Sequence, residues 1–345
     1  MTINKLFILF VFFFGLTAFS RPQIIDFHFH LQQGRSGEVH RYLESENGSF
    51  FDRRMSFFIS DGYLKLPDLK NGIDFVQHEV SDFVRTLPDS GMGYCGIDPT
   101  RDSYLSEIRN CLKLPKMVGV KLRIEDDNSY LAACQNSQNS FSKKFTEIAR
   151  EVESKSGLLL THFTKNNSYY YGELPELDWG PCAERESQAL IEIARKFPKV
   201  KFIIAHSGIR TPIGIRGLEY IGDWYSRHPE VKRNIYTEIS SVPYIFFGSG
   251  LCHRYEPPYS TSDCAGSIEW WAKTSPTARR ISKAWKKFDT NFVLYGSDFV
   301  NSNFATDQYA ISPLESIQFI LLNPEFTEKE KQKILFKNGE KLTSP

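Results

Sequence analysis

Two observations in the sequence predict an α/β fold, a (β/α)8 TIM barrel with long βα loops. The first is that apolar runs of strand length alternate with amphipathic stretches of helix length from residue 24 onward. Eight strands alternating with helices imply a parallel sheet, and eight strands are the number that closes a barrel. The second is that four of the apolar runs end on a histidine or an aspartate. Polar side chains at the carboxyl ends of parallel barrel strands are typical of a catalytic centre.

Eight apolar runs are predicted to be the strands of this barrel. A run of four to eight apolar residues is typical of a strand that is buried on both faces, as in a parallel sheet. The predicted strands lie near residues 24–30, 55–60, 92–98, 117–123, 157–162, 200–206, 234–239 and 291–298.

The stretches between these runs are predicted to be helices. In residues 141–155, for example, apolar side chains recur at helical spacing with charged residues between them, as on the packed face of an amphipathic helix. The remaining segments, 124–140, 163–183 and 240–266, each follow a strand and are predicted to be long loops on the face of the active site. The predicted helices lie near residues 70–86, 101–112, 141–155, 184–197, 214–227 and 267–288.

Residues 1–20 are predicted to be a signal peptide, followed by one barrel domain over residues 21–345. Lys5 precedes a mostly apolar run, and Ala18 and Ser20 supply small residues for cleavage before Arg21. The apolar run is short for a membrane span, which needs about 20 residues; an uncut membrane tether is the alternative. The mature protein is therefore expected to be exported, either to the periplasm or to the medium, with no membrane span after signal removal.

The charge balance of the 345 residues limits the partners of the protein. The formal net charge is +1 and there is no long basic block, so nucleic acid is not expected to bind. The expected partner is a small-molecule substrate, and a homo-oligomer is compatible with the composition.

Export changes the interpretation of the six cysteines, because an oxidising compartment permits disulfides. Cys252 and Cys264 flank one loop, and Cys134 and Cys182 lie in two successive long loops, so each pair is a candidate. Cys95 lies within an apolar strand and is expected to be a small core residue. Free cysteines are the alternative throughout.

The first predicted strand contains a pair of histidines that suits a metal ion. His28 and His30 are two residues apart, so they point to the same face of the strand. Neutral imidazole is a good ligand for Zn²⁺, and catalytic zinc is commonly held by three protein ligands and a water. Only 8 of the 345 residues are histidine, so further strands ending at His162 and His206 favour a metal site over an incidental pair.

These motifs together resemble the amidohydrolase superfamily, most closely its amidohydrolase-related branch of metal-dependent hydrolases, lactonases and decarboxylases. The resemblance covers nearly all of residues 23–341 and depends on the order and spacing of the motifs. The matching segments are Ile25-Asp26-Phe27-His28-Phe29-His30, Gly96-Ile97-Asp98-Pro99, Gly119-Val120-Lys121-Leu122, Leu160-Thr161-His162, Ile204-Ala205-His206-Ser207-Gly208, Tyr295-Gly296-Ser297-Asp298 and Lys333-Ile334-Leu335-Phe336-Lys337-Asn338.

The resemblance implies one divalent metal, with zinc expected and manganese as the alternative. It implies His28, His30, His162 and Asp298 as the metal ligands. It also implies His206 as a catalytic acid, base or electrostatic stabiliser. Asp298 could instead accept the proton of the metal-bound water, so it counts as a catalytic residue as well.

Four further residues are candidates for bridging a metal or binding substrate. Some members of the superfamily carry a carboxylated lysine on the fourth strand that bridges two metals, and Lys121 matches that position. The alternative is an interior lysine paired with an acid such as Glu238, which stands where the family often has Asp. Arg123 and Arg210 follow the fourth and sixth strands and could bind a carboxylate, since guanidinium binds carboxylates bidentately; solvated loop arginines are the alternative.

The expected activity is that of a metal-dependent hydrolase acting on a C–N or C–O bond of a small molecule through metal-bound hydroxide. One alternative is non-oxidative decarboxylation of an aromatic or unsaturated carboxylic acid. An alternative of a different class is a non-catalytic, secreted barrel that binds a metal or ligand, because a fold with its ligands does not guarantee turnover.

Overall fold

A computed structural model describes most of the barrel but not every loop. The described residues are 24–31, 37, 55–61, 72–87, 91–97, 99, 101–122, 140–162, 179–208, 214–240, 268–297, 299–300 and 313–343. The predicted signal peptide lies outside them, as do nearly all residues of the three predicted long loops. Among the described helices, none is both long and apolar enough to cross a membrane.

The strands form one parallel sheet that closes on itself. In this sheet the strands follow the order β8-β7-β6-β5-β4-β3-β2-β1-β9, so each strand neighbours the next one in the sequence. β8 pairs with β7, and β9, five residues after it, pairs with β1. The backbone N–H of Phe27 in β1 also donates to the carbonyl of Tyr295, which lies between β8 and β9. The eighth strand therefore joins both edges, and the predicted (β/α)8 barrel is confirmed.

Strand bounds in the structure agree with the predicted runs to within one or two residues, apart from the split eighth strand. The strands are β1 Ile24–Leu31, β2 Met55–Asp61, β3 Met92–Ile97, β4 Met117–Leu122, β5 Leu158–His162, β6 Lys201–Ala205, β7 Ile235–Glu238, β8 Val293–Leu294 and β9 Phe299–Val300.

Helices follow the strands in the expected alternation. They are α1 Gly72–Thr86, α2 Tyr104–Cys111, α3 Ser140–Glu153, α4 Trp179–Lys196, α5 Gly214–Arg227, α6 Ile268–Thr274, α7 Pro276–Phe288, α8 Pro313–Leu322, α9 Glu328–Gln332 and α10 Asn338–Thr343, with a π-helical turn at Lys333–Lys337. The largest differences from the prediction are the start of α4 and the division of one predicted helix. α4 begins at Trp179, inside the predicted loop 163–183, and the predicted helix 267–288 is two helices.

The break in that predicted helix has a local cause. Pro276 has no backbone N–H to donate and is well placed only in the first turn of a helix. Ser275 has an extended backbone, and its side chain accepts a hydrogen bond from the N–H of Ala278 at 3.3 Å, which caps α7. The Ser-Pro pair therefore ends α6 and starts α7, although the apolar spacing continues through both.

The strands are apolar on both faces because both faces are packed. Leu158, Leu160, Ile203 and Ala205 belong to a cluster inside the barrel, whereas the residues that alternate with them pack against the helices. Phe336, from the π-helical turn, packs against the interior cluster. Continuous apolar strands are expected of a parallel barrel covered by helices.

The first strand contains an irregularity that decides which side chains face inward. Ile25 and Phe27 belong to the interior cluster, but Phe29 belongs to the cluster under the helices. The pairing of β1 with β2 shifts register between Asp26 and Phe29. A bulge of this kind re-aims the side chains that follow it and is frequent beside active sites. It brings His28 to the same side as Phe27.

Cys95 and Cys111 form a disulfide between β3 and the last residue of α2. Both residues are buried. The expectation that Cys95 is only a small core residue was wrong. Its partner lies 16 residues further on, at the end of the helix that follows β3. The side chains of the other four cysteines lie outside the described residues.

Candidate metal centre

His28 and His30 bring two ring nitrogens together at the carboxyl end of β1. Their Nε2 atoms are 3.0 Å apart, and His28 is completely buried. An imidazole nitrogen either carries a proton or offers a lone pair, so two such atoms at this distance share either a hydrogen or a cation. The predicted convergence of this pair is therefore present in the structure.

The other ring nitrogen of His28 contacts the end of β7. Nδ1 of His28 lies 2.9 Å from Oε1 of Glu238 and 3.0 Å from Oγ of Ser240. The 210 residues that separate His28 from Glu238 include most of the barrel. Closure of the barrel thus places the predicted residue Glu238 beside a predicted metal ligand.

His206 lies on a short left-handed turn directly after β6. The φ angles of His206 and Ser207 are both 54°, and that of Gly208 is 62°. Left-handed backbone costs a non-glycine residue about 1–3 kcal/mol, so neighbouring contacts must stabilise this turn. The side chain of Ser207 donates to the carbonyl of Glu238 at 3.0 Å and accepts from Nε1 of Trp285 at 2.8 Å.

Glu238 also fixes the position of His206. The backbone N–H of His206 donates to Oε1 of Glu238 at 2.7 Å. Nδ1 of His206 lies 2.9 Å from Oγ and 3.2 Å from the backbone oxygen of Ser240. The rings of His206 and His28 have centroids 4.9 Å apart. The end of β7 therefore contacts both histidines at once.

Lys121 reaches the same point from β4. Its Nζ lies 2.9 Å from Nε2 of His28, and the side chain is buried. A lone pair on Nε2 serves one partner at a time, so a metal ion bound there would replace the lysine contact. The predicted candidate Lys121 is thus adjacent to the predicted ligands, whichever role it takes.

Asp26 ties the end of the eighth strand to β1. Its Oδ1 accepts from the backbone N–H groups of His28 and Ser297, each at 3.0 Å, and its Oδ2 accepts from Oγ of Ser297 at 2.6 Å. Burial raises the pKa of Asp26 from 3.8 to about 7, against the lowering effect of these hydrogen bonds. Burial, with the nearby charges of Glu238 and Asp26, also raises the pKa of Tyr94 well above 10.0.

Gly296 leaves the space into which Glu238 extends. A Cβ atom at this position would lie 2.5 Å from Oε2 of Glu238 and 3.0 Å from Cβ of His28. Real Cβ atoms do not approach another atom to 2.5 Å, so any larger residue would displace the carboxylate. The glycine is required by close approach rather than by its own backbone conformation.

Five of the nine predicted site residues converge in the structure. They are His28, His30, Lys121, His206 and Glu238. The strand that ends at His162 pairs with β6 beside Ala205, but the side chain of His162 lies outside the described residues, as do Asp298, Arg123 and Arg210. The assignment of these four as ligands or substrate contacts stays a prediction.

Two residues of the site were not predicted, Asp26 and Ser240. Ser240 follows Glu238 by two residues, and a side chain two residues along a strand lies on the same face. Asp26 is an acid within an apolar run. Both signals are visible in the sequence, but neither indicates which residues Asp26 and Ser240 contact in the folded protein.

The donor set fits a divalent metal. Among the described residues, His28, His206 and Glu238 form a buried group whose candidate ligand atoms all lie within 4.8 Å of one another, and His30 adds a further imidazole. Imidazole suits zinc, copper, iron and nickel, and carboxylate suits magnesium, calcium and manganese, so a mixed set does not select one ion. A divalent metal is therefore supported, but zinc in particular is not.

A parallel eight-stranded barrel with buried histidines and a carboxylate at the carboxyl ends of its strands defines a class of metal-dependent barrel enzymes. The sequence profile of the family described as Amidohydrolase matches residues 80–342, which is more than half of the chain. The chain belongs to the amidohydrolase family.

Several solved structures share this fold. A Staphylococcus aureus protein classed as an amidohydrolase is 14% identical with a TM-score of 0.55, and the match covers 93% of this chain and 99% of that one. A dihydroxybenzoic acid decarboxylase from a Polaromonas species, solved with bound manganese and the inhibitor 2-nitroresorcinol, is 13% identical with a TM-score of 0.56, over 93% of this chain and 97% of that one. A 2,6-dihydroxybenzoate decarboxylase from Rhizobium is 13% identical with a TM-score of 0.54, over 93% and 98%. No curated protein matches the sequence.

Proposed function

We propose that this chain is a divalent-metal-dependent hydrolase that cleaves a C–N or C–O bond of a small molecule. The observation that carries the proposal is the convergence of His28, His30 and His206 at the carboxyl ends of β1 and β6, all three buried. Such a group combines ligands for an ion with a further imidazole that can transfer a proton. Catalysis by hydrolysis needs both functions.

The proposed ligands are His28, His30, His162 and Asp298. The Nε2 contact between His28 and His30 supports the first two, and membership of the amidohydrolase family supports the set as a whole. A divalent ion bound there would lower the pKa of a coordinated water to about 7, which makes hydroxide available at neutral pH.

The proton transfers are assigned to His206 and Asp298. Nδ1 of His206 is within hydrogen-bonding distance of Ser240, and its ring packs against the ring of His28, so its orientation is fixed before substrate arrives. Preorganisation of this kind lowers the reorganisation that the transition state requires. Nζ of Lys121 lies beside His28 and would donate a hydrogen bond to an anionic group of the substrate.

Non-oxidative decarboxylation of an aromatic or unsaturated acid is the second candidate. Similar solved structures favour this reaction, since several are decarboxylases of dihydroxybenzoate or 5-carboxyvanillate. The same site suits this chemistry, because a metal ion and Lys121 together would hold a carboxylate. The two reactions differ in the bond that breaks and in the use of water: hydrolysis breaks a C–N or C–O bond and consumes water, whereas decarboxylation breaks a C–C bond and consumes none.

Oxygen-18 labelling separates them directly. The full protein, loaded with manganese or zinc, is incubated in ¹⁸O-water with amides, lactones and aromatic acids, and products are analysed by mass spectrometry. Hydrolysis incorporates one ¹⁸O into the product. Release of carbon dioxide with no label in the organic product would show that the reaction is decarboxylation and not hydrolysis. A wild-type protein that binds no stoichiometric divalent metal would overturn both and favour a non-catalytic barrel.

We also propose that the protein is exported. The Cys95–Cys111 disulfide supports this, because disulfides persist in oxidising compartments and are rare in the cytosol. Removal of residues 1–20 should leave a chain that starts at Arg21. Intact-mass measurement on protein from the cell envelope or medium tests the proposal, and a chain retaining Met1 in the cytosol would contradict it.

A further inference from the structure

We infer that Glu238 and Ser240 are positioning residues, which fix the proton positions of His28 and His206 and do not bind the metal themselves. The inference rests on the proposed metal site. It goes beyond that site in giving a role to the end of β7, where the chain has Glu-Ile-Ser.

Hydrogen bonds already occupy the Glu238 oxygen that faces the two histidines. Oε1 lies within hydrogen-bonding distance of Nδ1 of His28 at 2.9 Å, the backbone N–H of His206 at 2.7 Å and Oγ of Ser240 at 2.7 Å. Oε2 accepts from the backbone N–H of Ser240. An ionised carboxylate has about four lone-pair sites and donates nothing. Three of these four donors converge on Oε1, so the oxygen that contacts both histidines has no lone pair left for an ion.

This arrangement determines the tautomer of His28. Because the carboxylate can only accept, the proton of the imidazole is on Nδ1, and Nε2 has the lone pair. Nε2 is the atom that faces Nε2 of His30 and Nζ of Lys121. A carboxylate that holds the far nitrogen of a metal-binding histidine orients the ring and raises its basicity.

Ser240 determines the tautomer of His206 in the same way. Nδ1 of His206 lies 3.2 Å from the backbone oxygen of Ser240, and a carbonyl only accepts, so Nδ1 carries the proton. Oγ of Ser240 donates its own proton to Glu238 and so accepts from the ring at 2.9 Å. Both histidines then have their lone pairs on Nε2, as a ligand and a proton acceptor require.

The length of Glu238 matters for this double contact. Its Oε1 reaches His28 on β1 and the backbone of His206 directly after β6, whereas an aspartate is shorter by one methylene group. Gly296 provides the matching space, since a Cβ there would lie 2.5 Å from Oε2. The two residues therefore form a complementary pair across β7 and the eighth strand.

Direct ligation by Glu238 is the competing assignment, because its oxygen lies within 4.8 Å of nitrogens of His28 and His206. Ligation through Nδ1 of His28 would require an ion where a 2.9 Å hydrogen bond already joins the two residues. It would also remove the hydrogen bond that holds the backbone of His206 in its left-handed turn.

Two measurements on the full protein distinguish the assignments. The first is the ¹⁵N NMR pattern of the histidine rings in the metal-free protein, which reports which ring nitrogen carries the proton. The second is the affinity for Mn²⁺, measured by electron paramagnetic resonance titration. The variants are Glu238→Met, which keeps the length and removes the acceptors, and Glu238→Gln, which keeps part of them. Glu107→Gln, at a buried glutamate on α2, is the matched control.

We expect wild-type His28 to be protonated on Nδ1, and Glu238→Met to lose that preference. Mn²⁺ affinity should fall by about 10–100-fold, as is typical when an outer partner of a ligand is removed. Glu238→Gln should be intermediate, and Glu107→Gln should bind Mn²⁺ like the wild type. Wild-type affinity in Glu238→Met would overturn the inference. So would a loss of affinity with the His28 proton still on Nδ1, which would identify Glu238 as a ligand.

Circular dichroism shows whether each variant folds. If Glu238→Met does not fold, the Glu238→Gln and Ser240→Ala variants test the inference instead. Ser240→Ala is expected to change the ¹⁵N pattern of the His206 ring and to leave the fold unchanged. The ring patterns are measured without metal, so they test positioning separately from the proposed function. Failure of the wild type to bind Mn²⁺ or Zn²⁺ would refute the proposed function alone.

Discussion

Removal of the Cys95–Cys111 disulfide should destabilise the barrel strongly without changing its metal site. The bond joins the middle of β3 to the end of α2, on the helix-facing side of the sheet. Both residues are buried, so the crosslink is part of the packed layer and not an exposed clasp. The informative perturbation is the pair variant Cys95→Ala with Cys111→Ala, which leaves the other four cysteines unchanged.

The size of the effect follows from the loop that the bond closes. The sequence separation is 16 residues, and in the chain-entropy model a loop of about this length contributes roughly 3 kcal/mol by restricting the unfolded chain. Loss of each buried sulfur adds on the order of 1 kcal/mol through lost packing and a small cavity. The pair variant should therefore lose about 5 kcal/mol of unfolding free energy, and Cys95→Ala alone about 4 kcal/mol.

Urea unfolding followed by far-ultraviolet circular dichroism measures this difference. The transition midpoint should move to lower urea in both variants, with Mn²⁺ affinity unchanged when measured below the transition. A larger unfolding slope is expected for the variants, because the uncrosslinked chain exposes more surface when unfolded. A loss below about 2 kcal/mol in the pair variant would mean that only sulfur packing was removed, and would refute the crosslink argument.

Three further predictions concern the metal centre. His30→Ala should weaken Mn²⁺ binding by more than about 100-fold, beyond the usual effect of outer residues, because its Nε2 lies 3.0 Å from that of His28; a titration showing wild-type affinity would remove His30 from the ligand set. Gly296→Ala should weaken Mn²⁺ binding by about 10-fold, as Cβ displaces the Glu238 carboxylate, and unchanged affinity would show that the carboxylate moves freely. Chelation should abolish turnover, and one equivalent of Mn²⁺ or Zn²⁺ per chain should restore it; a requirement for two equivalents would instead support a bridging Lys121.

Much of the fold was predictable because barrel units are local. Each strand is a short apolar run, and each helix is an amphipathic stretch beside it. The hydrophobic pattern within a window of about ten residues is therefore enough to identify either one. The break at Ser275-Pro276 was missed although its signal is also local. The apolar spacing runs without interruption through both helices and therefore predicts one long helix. Pro276 nevertheless ends the first helix, because proline has no N–H to donate to the preceding turn.

The candidate site was predictable only in part. His28, His30, His206, Lys121 and Glu238 were identified because each lies near the end of a strand, and the carboxyl ends of parallel strands meet. Their individual contacts were not. Lys121 was a candidate for bridging two metals, with an acid such as Glu238 as the alternative partner, and the sequence did not indicate that its Nζ lies 2.9 Å from Nε2 of His28.

The sequence by itself determined the barrel, the end of the barrel that carries chemistry, and the residue types available there. Only the tertiary structure decided which atoms meet. The register shift in β1 places Phe27 and His28 on the same side, where strict alternation would separate them. Closure of the barrel joins Glu238 to His28 across 210 residues and Ser297 to Asp26 across 271. Local periodicity encodes neither a one-residue shift nor a contact of that range, because both depend on how all eight strands pack together.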